Sequence, residues 1–232
     1  MTKLTKLFID IMLVFAVSAL AFVLEGLANA RGWIAVGTEA TGVTAVLGGA
    51  LAAVGIVLAR GGTLADLGFR RPERWAKVPF QVTGILVVFI AGQRLVPLLV
   101  SSFLYVPEPD LSRYDSISGN LCVAITMAMV LPLTASIPEE VIYRGFLIGR
   151  LSDIFGRDTG GTSMTVLVQA LAFGAVHFMW GIGGMIVTVI MGIVWGTAYL
   201  LCGRNLWIVI LAHSAGHILF VIQLYLGTSI II

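Results

Sequence analysis

Apolar runs about as long as a bilayer is thick recur along this chain and restrict what it can fold into. A helix needs about 20 apolar residues to cross the hydrocarbon core, where every backbone polar group must be bonded within the protein. Of the 232 residues, 59% are hydrophobic and 11% are charged, whereas soluble domains carry about 25% charged residues. The sequence therefore predicts an all-α, polytopic transmembrane bundle of seven to eight helices that forms a single integral membrane domain over residues 1–232.

Seven helices account for the apolar runs. We expect them at about 7–28, 41–59, 78–103, 117–151, 162–179, 183–201 and 206–226. Because proline lacks an N–H and clashes with the preceding turn, Pro132 and Pro138 predict a kink or a break in the fourth run. The first run precedes Ala28-Asn29-Ala30, which is typical of a signal-peptidase site. Its length of about 20 residues nevertheless favours a retained transmembrane helix.

Basic residues are divided unequally between the two sets of connectors. One set holds ten of them: Lys3, Lys6, Arg60, Arg70, Arg71, Arg74, Lys77, Arg150, Arg157 and Arg204. The opposite set holds only Arg31 and Arg113. Because cytoplasmic loops carry an excess of Lys and Arg, the pattern predicts a multi-pass protein of the cell membrane with a cytoplasmic N-terminus and the lipid bilayer as its partner. The net charge of +2 follows this topology and indicates no nucleic-acid partner.

Three charged residues interrupt the apolar fourth run. A charge at the bilayer centre costs ~2.5–3.5 kcal/mol on insertion scales, so Glu139, Glu140 and Arg144 are expected to serve a purpose. On a helix, Glu140 and Arg144 are four residues apart with the acid nearer the N-terminus, the favourable orientation for an ion pair. Glu139 points about 100° away and has no partner at that spacing. The pattern predicts one paired carboxylate and one available for chemistry; a purely structural ion-pair cluster is the alternative.

The three histidines all lie in predicted helices, and none lies in a loop. His213 and His217 are four residues apart and share one helix face. Small residues surround the histidines and the carboxylates, and such residues let helices approach closely, so we expect a shared polar cavity. Counted from the cytoplasmic helix ends at ~1.5 Å per residue, His213 lies about 10 Å deep and His177 about 22 Å. Tilted or broken helices are needed to bring the two together.

This set of side chains fits hydrolysis by an activated water. An unpaired buried glutamate is a candidate general base, and a neighbouring histidine can orient the same water or carry its proton. Two further histidines on one helix face can donate to an oxyanion. The same four groups, Glu139, His177, His213 and His217, also fit a tetrahedral zinc site. The residues alone therefore leave a metal-free and a zinc-dependent hydrolase open.

Three short motifs resemble those of the CAAX prenyl endopeptidase and bacteriocin-processing (Abi, CPBP) family of intramembrane proteases. They are Glu139-Glu140-x-x-x-Arg144, Phe173-x-x-x-His177 and His213-x-x-x-His217, within an expected catalytic core at about 117–226. The resemblance implies an α-helical bundle whose active site opens toward the cytoplasm. It further implies that Glu139 and His177 activate the water and that the third motif forms the oxyanion site. Glu140 and Arg144 would support and position these groups.

The resemblance implies an intramembrane endopeptidase that cleaves a peptide or membrane-protein substrate without an obligatory metal. A zinc-dependent metallopeptidase with the same residues is the first alternative. A non-catalytic membrane scaffold or immunity-type protein on the same fold is the second. One position departs from the family, because His217 stands where the third motif usually has Asn or Asp. An imidazole replaces an amide as a donor only with its N–H in the right place or when it is protonated.

Overall fold

The computed structural model describes residues 2–34, 42–101, 105 and 107–228. This part of the chain contains seven long helices and no strand. They are α1 (Lys3–Ala30), α2 (Val43–Ala59), α3 (Val78–Ser101), α4 (Leu121–Phe155), α5 (Thr159–Ala175), α6 (Gly181–Leu201) and α7 (Leu206–Leu226). By length and composition, α1, α3, α4, α6 and α7 can each cross a membrane. The predicted all-α bundle is confirmed, while the expected outer ends of the second and third helices, Thr41 and Phe103, lie outside the described residues.

The fourth helix is continuous, so the prediction that the prolines divide it into separate helices is wrong. Two π-helical segments, Pro132–Ser136 and Val141–Leu147, lie within α4. Pro138 has no N–H with which to bond the carbonyl of Thr134, four residues earlier. Thr134 lies in a π turn, where hydrogen bonds join residues five apart, so the helix continues past the proline. Such π segments occur frequently at functional sites. The helix also ends at Phe155 rather than at 151.

The start of α4 is likewise later than expected. Residues Ser112–Ile117 form a 3₁₀ helix, and Asn120 follows as the N-cap of α4. Its side-chain oxygen accepts a hydrogen bond from the backbone N–H of Val123 at 3.2 Å. An asparagine in this position satisfies one of the backbone donors that a helix start leaves unpaired. This cap, rather than hydrophobicity, sets the first residue of the helix at Leu121.

The fifth helix is shorter than expected, and His177 lies beyond its end. Asp158 caps α5 by accepting from the backbone N–H of Gly161 at 3.2 Å. The helix ends at Ala175, and the 3₁₀ turn Phe178–Trp180 leads into α6. The prediction that every histidine is helical is therefore wrong for His177, which occupies the turn between α5 and α6.

Close helix contacts hold that turn in place. A Cβ atom added to Gly192 of α6 would lie 2.7 Å from Cα of Ala170 in α5, so only glycine permits the observed approach. Phe173 of α5 and Trp195 of α6 are fully buried on the inner side of this pair. The close packing of α5 against α6 therefore fixes the position of His177 in the turn that joins them.

The polar connector after α2 docks against the start of α7. The backbone N–H of Leu206 donates to the carbonyl of Gly68 at 2.8 Å, and the Asn205 side chain donates to the carbonyl of Arg70 at 2.9 Å. Leu67, in the same connector, is buried in the bundle core. In the same connector, hydrogen bonds from the backbone and side chain of Thr63 hold the pKa of Asp66 below its usual value.

Two acids within the apolar first helix join it to its neighbours. Asp10 accepts from Arg60 at 2.7 Å and lies 3.4 Å from Arg150, which ties α1 to α2 and α4. Glu25 accepts from the backbone N–H of Gly42 at 2.7 Å and from the hydroxyl of Thr44, at the start of α2. A carboxylate at a helix N-terminus satisfies free N–H groups there. Asp10 is therefore paired with arginines, and Glu25 is hydrogen-bonded to the start of α2.

Candidate active site

A cavity inside the bundle brings together the four residues that were expected to carry the chemistry. Glu139, His177, His213 and His217 all line it. Its volume is about 50 Å³, and because one water needs only about 10–15 Å³ of such space, a few waters fit. The rest of the wall comes mostly from apolar side chains: Phe89, Phe173, Trp180, Val187, Met191 and Phe220. The predicted shared polar cavity is present.

Glu140 and Arg144 form the expected ion pair behind the cavity wall. Oε1 of Glu140 lies 2.9 Å from Nη1 of Arg144, and neither side chain is exposed. The contact does not meet hydrogen-bond geometry, so its attraction is that of an ion pair. The guanidinium carbon also lies 4.6 Å from the centre of the Phe173 ring, within the range of a cation–π interaction. Arg144 is thus held by one carboxylate and one aromatic ring.

The same Glu140 oxygen also positions His213, which the sequence did not predict. Nδ1 of His213 lies 2.8 Å from Oε1 of Glu140. An ionised carboxylate only accepts hydrogen bonds, so Nδ1–H is the donor, and in the neutral ring Nε2 keeps its lone pair. Nε2 has no hydrogen-bond partner among the described residues and lies 3.7 Å from Oε2 of Glu139. Glu140 therefore turns an acceptor nitrogen toward Glu139.

This arrangement restricts the role that we expected for His213. An oxyanion needs a donor, and neutral His213 has no proton on the nitrogen that faces the cavity. The ring can donate there only as an imidazolium, with protons on both nitrogens. His213 is thus better placed, in its neutral form, to exchange a proton with Glu139 than to bind a negative oxygen.

His177, like His213, uses Nδ1 to contact a protein acceptor. Its Nδ1 lies 2.7 Å from the backbone oxygen of Phe173, which can only accept, so Nδ1 carries the proton. The neutral ring then has an acceptor at Nε2. The rings of Phe173 and Trp180 lie 4.8 and 5.0 Å from the His177 ring, centre to centre, and fix its plane. His177 is therefore suited to accept a hydrogen bond from a water in the cavity.

His217 is oriented by a residue that the sequence reasoning missed. Oγ of Ser136 lies 2.8 Å from Nδ1 of His217. Ser136 is fully buried, and a buried hydroxyl needs an acceptor for its proton. When the hydroxyl donates to Nδ1, the His217 ring carries its proton on Nε2. The departure from the family's Asn or Asp thus still supplies an N–H donor.

Phe173 and His217 account for the difference in depth that we expected between the histidines. The Phe173 ring lies 4.8 Å from that of His177 and 6.5 Å from that of His213. The rings of His213 and His217 are 4.6 Å apart, one helical turn along α7. The Phe173 ring therefore connects His177 with His213 although the two differ in depth, and His217 extends the cavity one turn further along α7.

Gln93, which lines the cavity, and Ser136, which contacts His217, had no signal of their own in the sequence. Each is a single uncharged residue within a long apolar helix, where most such residues are satisfied by the preceding turn. The only available signal for Ser136 was its position one turn before Glu140. Gln93 lies on α3, far in sequence from the three motifs, and only the packing of α3 against α6 and α7 brings it to the cavity.

The donor set was tested for a metal ion. Among the described residues, no group of three or more His, Cys, Asp or Glu side chains is arranged to hold one. The Nδ1–H contacts of His177 and His213 would by themselves suit metal ligands, because a metal-binding histidine usually donates its other N–H to a protein acceptor. As placed, however, the side chains do not assemble the tetrahedral zinc site that their number suggested.

Comparison with known proteins gives one match. Residues 121–219 match a family model described as Type II CAAX prenyl endopeptidase Rce1-like, less than half of the chain but all of the segment that contains the three motifs. Neither the curated proteins nor the solved structures gave a match. The resemblance seen in the sequence is confirmed, as is the prediction of an enzyme. Over residues 121–219, the chain is therefore similar to the Rce1-like type II CAAX prenyl endopeptidases.

Proposed function

We propose that the chain is an intramembrane endopeptidase that hydrolyses a peptide bond with a water activated by Glu139 and His177. The observation that carries the proposal is the cavity itself. Three histidines surround space for water in it, together with a carboxylate that has no guanidinium within ion-pair distance among the described residues. An ionisable cluster in such a setting is a functional site by default.

In the proposed reaction, Glu139 takes one proton from the water while the second O–H donates to Nε2 of His177. The water oxygen attacks the carbonyl carbon, a C–O bond forms, and the carbonyl electron pair moves to its oxygen. When the tetrahedral intermediate collapses, the C–N bond breaks. Glu139 returns its proton to the leaving amine nitrogen, so the carboxylate acts first as base and then as acid.

The negative oxygen of the intermediate is proposed to meet Nε2–H of His217. Ser136 supports this role because, when its hydroxyl donates to Nδ1, the proton of the neutral ring lies on Nε2. His213 stands beside Glu139 and, held by Glu140, can take up and return the proton that Glu139 carries between the two steps. Glu140 and Arg144 act through His213 and are positioning residues.

Cleavage near the cytoplasmic side, in a cell membrane with the N-terminus inside, is part of the proposal. The basic connectors support the orientation. Counted at ~1.5 Å per residue, Glu139 lies about 16 Å along α4 from Arg150 and His213 about 12 Å along α7 from Asn205. Glu139 and His213 thus lie within or close to the cytoplasmic half of a core about 30 Å thick, whereas His177 follows the opposite end of α5. A peptide or a membrane protein is the proposed substrate.

The proposal is tested by the products formed in isotopic water. Purified protein in liposomes is offered a library of peptides derived from membrane proteins, with and without a C-terminal prenyl group, in H₂¹⁸O. We expect discrete cleavages whose new carboxylates carry ¹⁸O. Absence of cleavage in both sets of peptides would contradict the proposed function.

Substitutions at His217 test the proposed oxyanion donor. His217→Ala should lower the turnover rate by roughly 10²–10³, the usual loss for one such donor. His217→Asn should retain or raise turnover, because Asn supplies the N–H without a choice of tautomer. Both variants are assayed on one cleaved peptide, with metal analysis alongside.

A matched change at Ser136 completes this test. Ser136→Ala removes the group that assigns the proton of His217, so it should slow the wild-type ring but have little effect in the His217→Asn background. A zinc enzyme behaves differently, because Asn is a poor zinc ligand and His217→Asn would lose metal and activity together. Joint loss of metal and activity in the His217→Asn variant would contradict the proposed oxyanion role of His217.

A further inference from the structure

Gln93 is a buried polar side chain on the wall of the catalytic cavity, outside the family-matched segment. It is only 5% exposed and lies on α3, whereas Glu139 and the histidines come from other elements. Its Nε2 donates to the backbone oxygen of Val187 on α6 at 3.4 Å. Since a carbonyl only accepts, this contact assigns the nitrogen of the Gln93 amide to Val187 and leaves its oxygen for another partner.

That oxygen has no partner in the described structure. Oε1 of Gln93 is buried without a hydrogen bond, and the same holds for Nε2 of His213. These are the two unsatisfied side-chain atoms among the described residues that line the cavity. Buried acceptors without a donor are rare and destabilising, and each one calls for an explanation. Nε2 of His213 at least faces the carboxyl group of Glu139 at 3.7 Å, whereas Oε1 of Gln93 has no polar partner among the described residues.

The surroundings of Gln93 restrict what can satisfy it. Its neighbours Phe89, Val187 and Met191 offer no side-chain donor. The hydroxyl of Thr188 is already engaged with backbone oxygens of its own helix, at 2.8 and 3.1 Å. A donor bound in the cavity that Gln93 lines would satisfy this oxygen.

A peptide substrate supplies such a donor. Each peptide unit carries one N–H, and an extended chain that places its carbonyl carbon near Glu139 presents N–H groups to the walls on either side. We propose that Gln93 binds the substrate main chain by accepting a hydrogen bond from a backbone N–H next to the scissile bond. The inference rests on the proposed endopeptidase function and adds a main-chain binding residue, from a helix outside the matched domain. Because main-chain groups are common to all peptides, this contact favours an extended chain over any particular side chain.

Ester substitution in the substrate tests the contact directly. The probe is the peptide that wild-type protein in liposomes cleaves best, together with a series in which one backbone N–H near the scissile bond is replaced by oxygen. Loss of one hydrogen bond should raise KM about tenfold with little change in kcat, because the bond is present in both ground and transition states. We expect one ester position to show this loss with the wild type.

Variants of Gln93 should show the same loss and then no further effect of the ester. Gln93→Met keeps the length of the side chain and removes the acceptor; Gln93→Leu provides a second variant if the first is poorly folded. Either should raise KM about tenfold on the parent peptide and be indifferent to the sensitive ester. Gln81→Met, on the same helix but beside Cys202, is the matched control and should leave KM unchanged.

The outcomes separate this inference from the proposed function. If the rise in KM caused by each ester simply adds to that caused by the Gln93 substitution, or if a Gln93 variant has the wild-type KM, Gln93 does not bind the substrate main chain. Either result would leave the proposed hydrolase function intact. Cleavage that persists in a Glu139→Gln variant would instead contradict the proposed mechanism. The binding role of Gln93 would still stand if the effects of the ester and of the Gln93 substitution on KM were not additive. If wild type cleaves no peptide, both fail together.

Discussion

Replacing Glu139 by Gln should lower peptide hydrolysis by about 10²–10⁴-fold or more, to the background rate, while the protein remains folded. The amide keeps the volume of the side chain and loses the group that accepts the water proton. Glu139 has no guanidinium contact within ion-pair distance among the described side chains, and its nearest ionisable partner is Nε2 of His213 at 3.7 Å. Little native structure therefore depends on its charge. The measurement is single-turnover cleavage of one peptide by protein purified in parallel with the wild type.

Glu25→Gln is the matched control for this change. Glu25 is also a carboxylate within an apolar helix, but it caps α2 and takes no part in the cavity. We expect it to lose thermal stability and to keep its turnover rate per folded molecule. A Glu139→Gln variant with near wild-type turnover would show that another group activates the water.

Replacing Glu140 by Gln should have its main effect on stability. The change leaves Arg144 fully buried without its carboxylate, and breaking a buried ion pair from one side costs about 3–5 kcal/mol. It also replaces the charged acceptor of Nδ1–H of His213 by a weaker, neutral amide oxygen, so turnover per folded molecule should fall as well. Thermal unfolding in one detergent, followed by the peptide assay on the folded fraction, measures both effects.

A second substitution separates charge from packing. Glu140→Gln combined with Arg144→Met removes both charges and should recover much of the lost stability, because no unpaired charge remains. Turnover should stay low in the double variant, because Nδ1–H of His213 still lacks a carboxylate acceptor. If Glu140→Gln melts like the wild type while Glu139→Gln is strongly destabilised, the roles of the two carboxylates are reversed.

Charge spacing made part of the site predictable. The pairing of Glu140 with Arg144 follows from helical geometry alone, since residues four apart share one face. The convergence of Glu139 with the histidines follows from the cost of leaving such groups in lipid, which favours gathering them in one cavity. The boundaries of α7, Leu206–Leu226, also agree with expectation because Asn205 and Gly227 mark its ends.

Other features depended on contacts that no local pattern encodes. Pro132 and Pro138 predicted a broken helix, but the π turns of α4 absorb them and keep the helix continuous. The positions of Ser136 and Gln93 depend on how α3, α4 and α7 pack, which a single sequence does not specify. The second partner of Glu140, His213, lies 73 residues away. The chemistry of a histidine is set by what its other nitrogen meets, so ring positions were predictable and proton positions were not.

The metal content and chelator sensitivity of the active wild-type protein test the central claim most directly. The claim is that Glu139 and His177, rather than a metal ion, activate the water. Protein purified without added metal is analysed for zinc, and its rate on one cleaved peptide is measured before and after incubation with a strong chelator. The account predicts substoichiometric zinc and the same rate in both samples. Stoichiometric zinc, with activity that disappears on chelation and returns when zinc is restored, would contradict it.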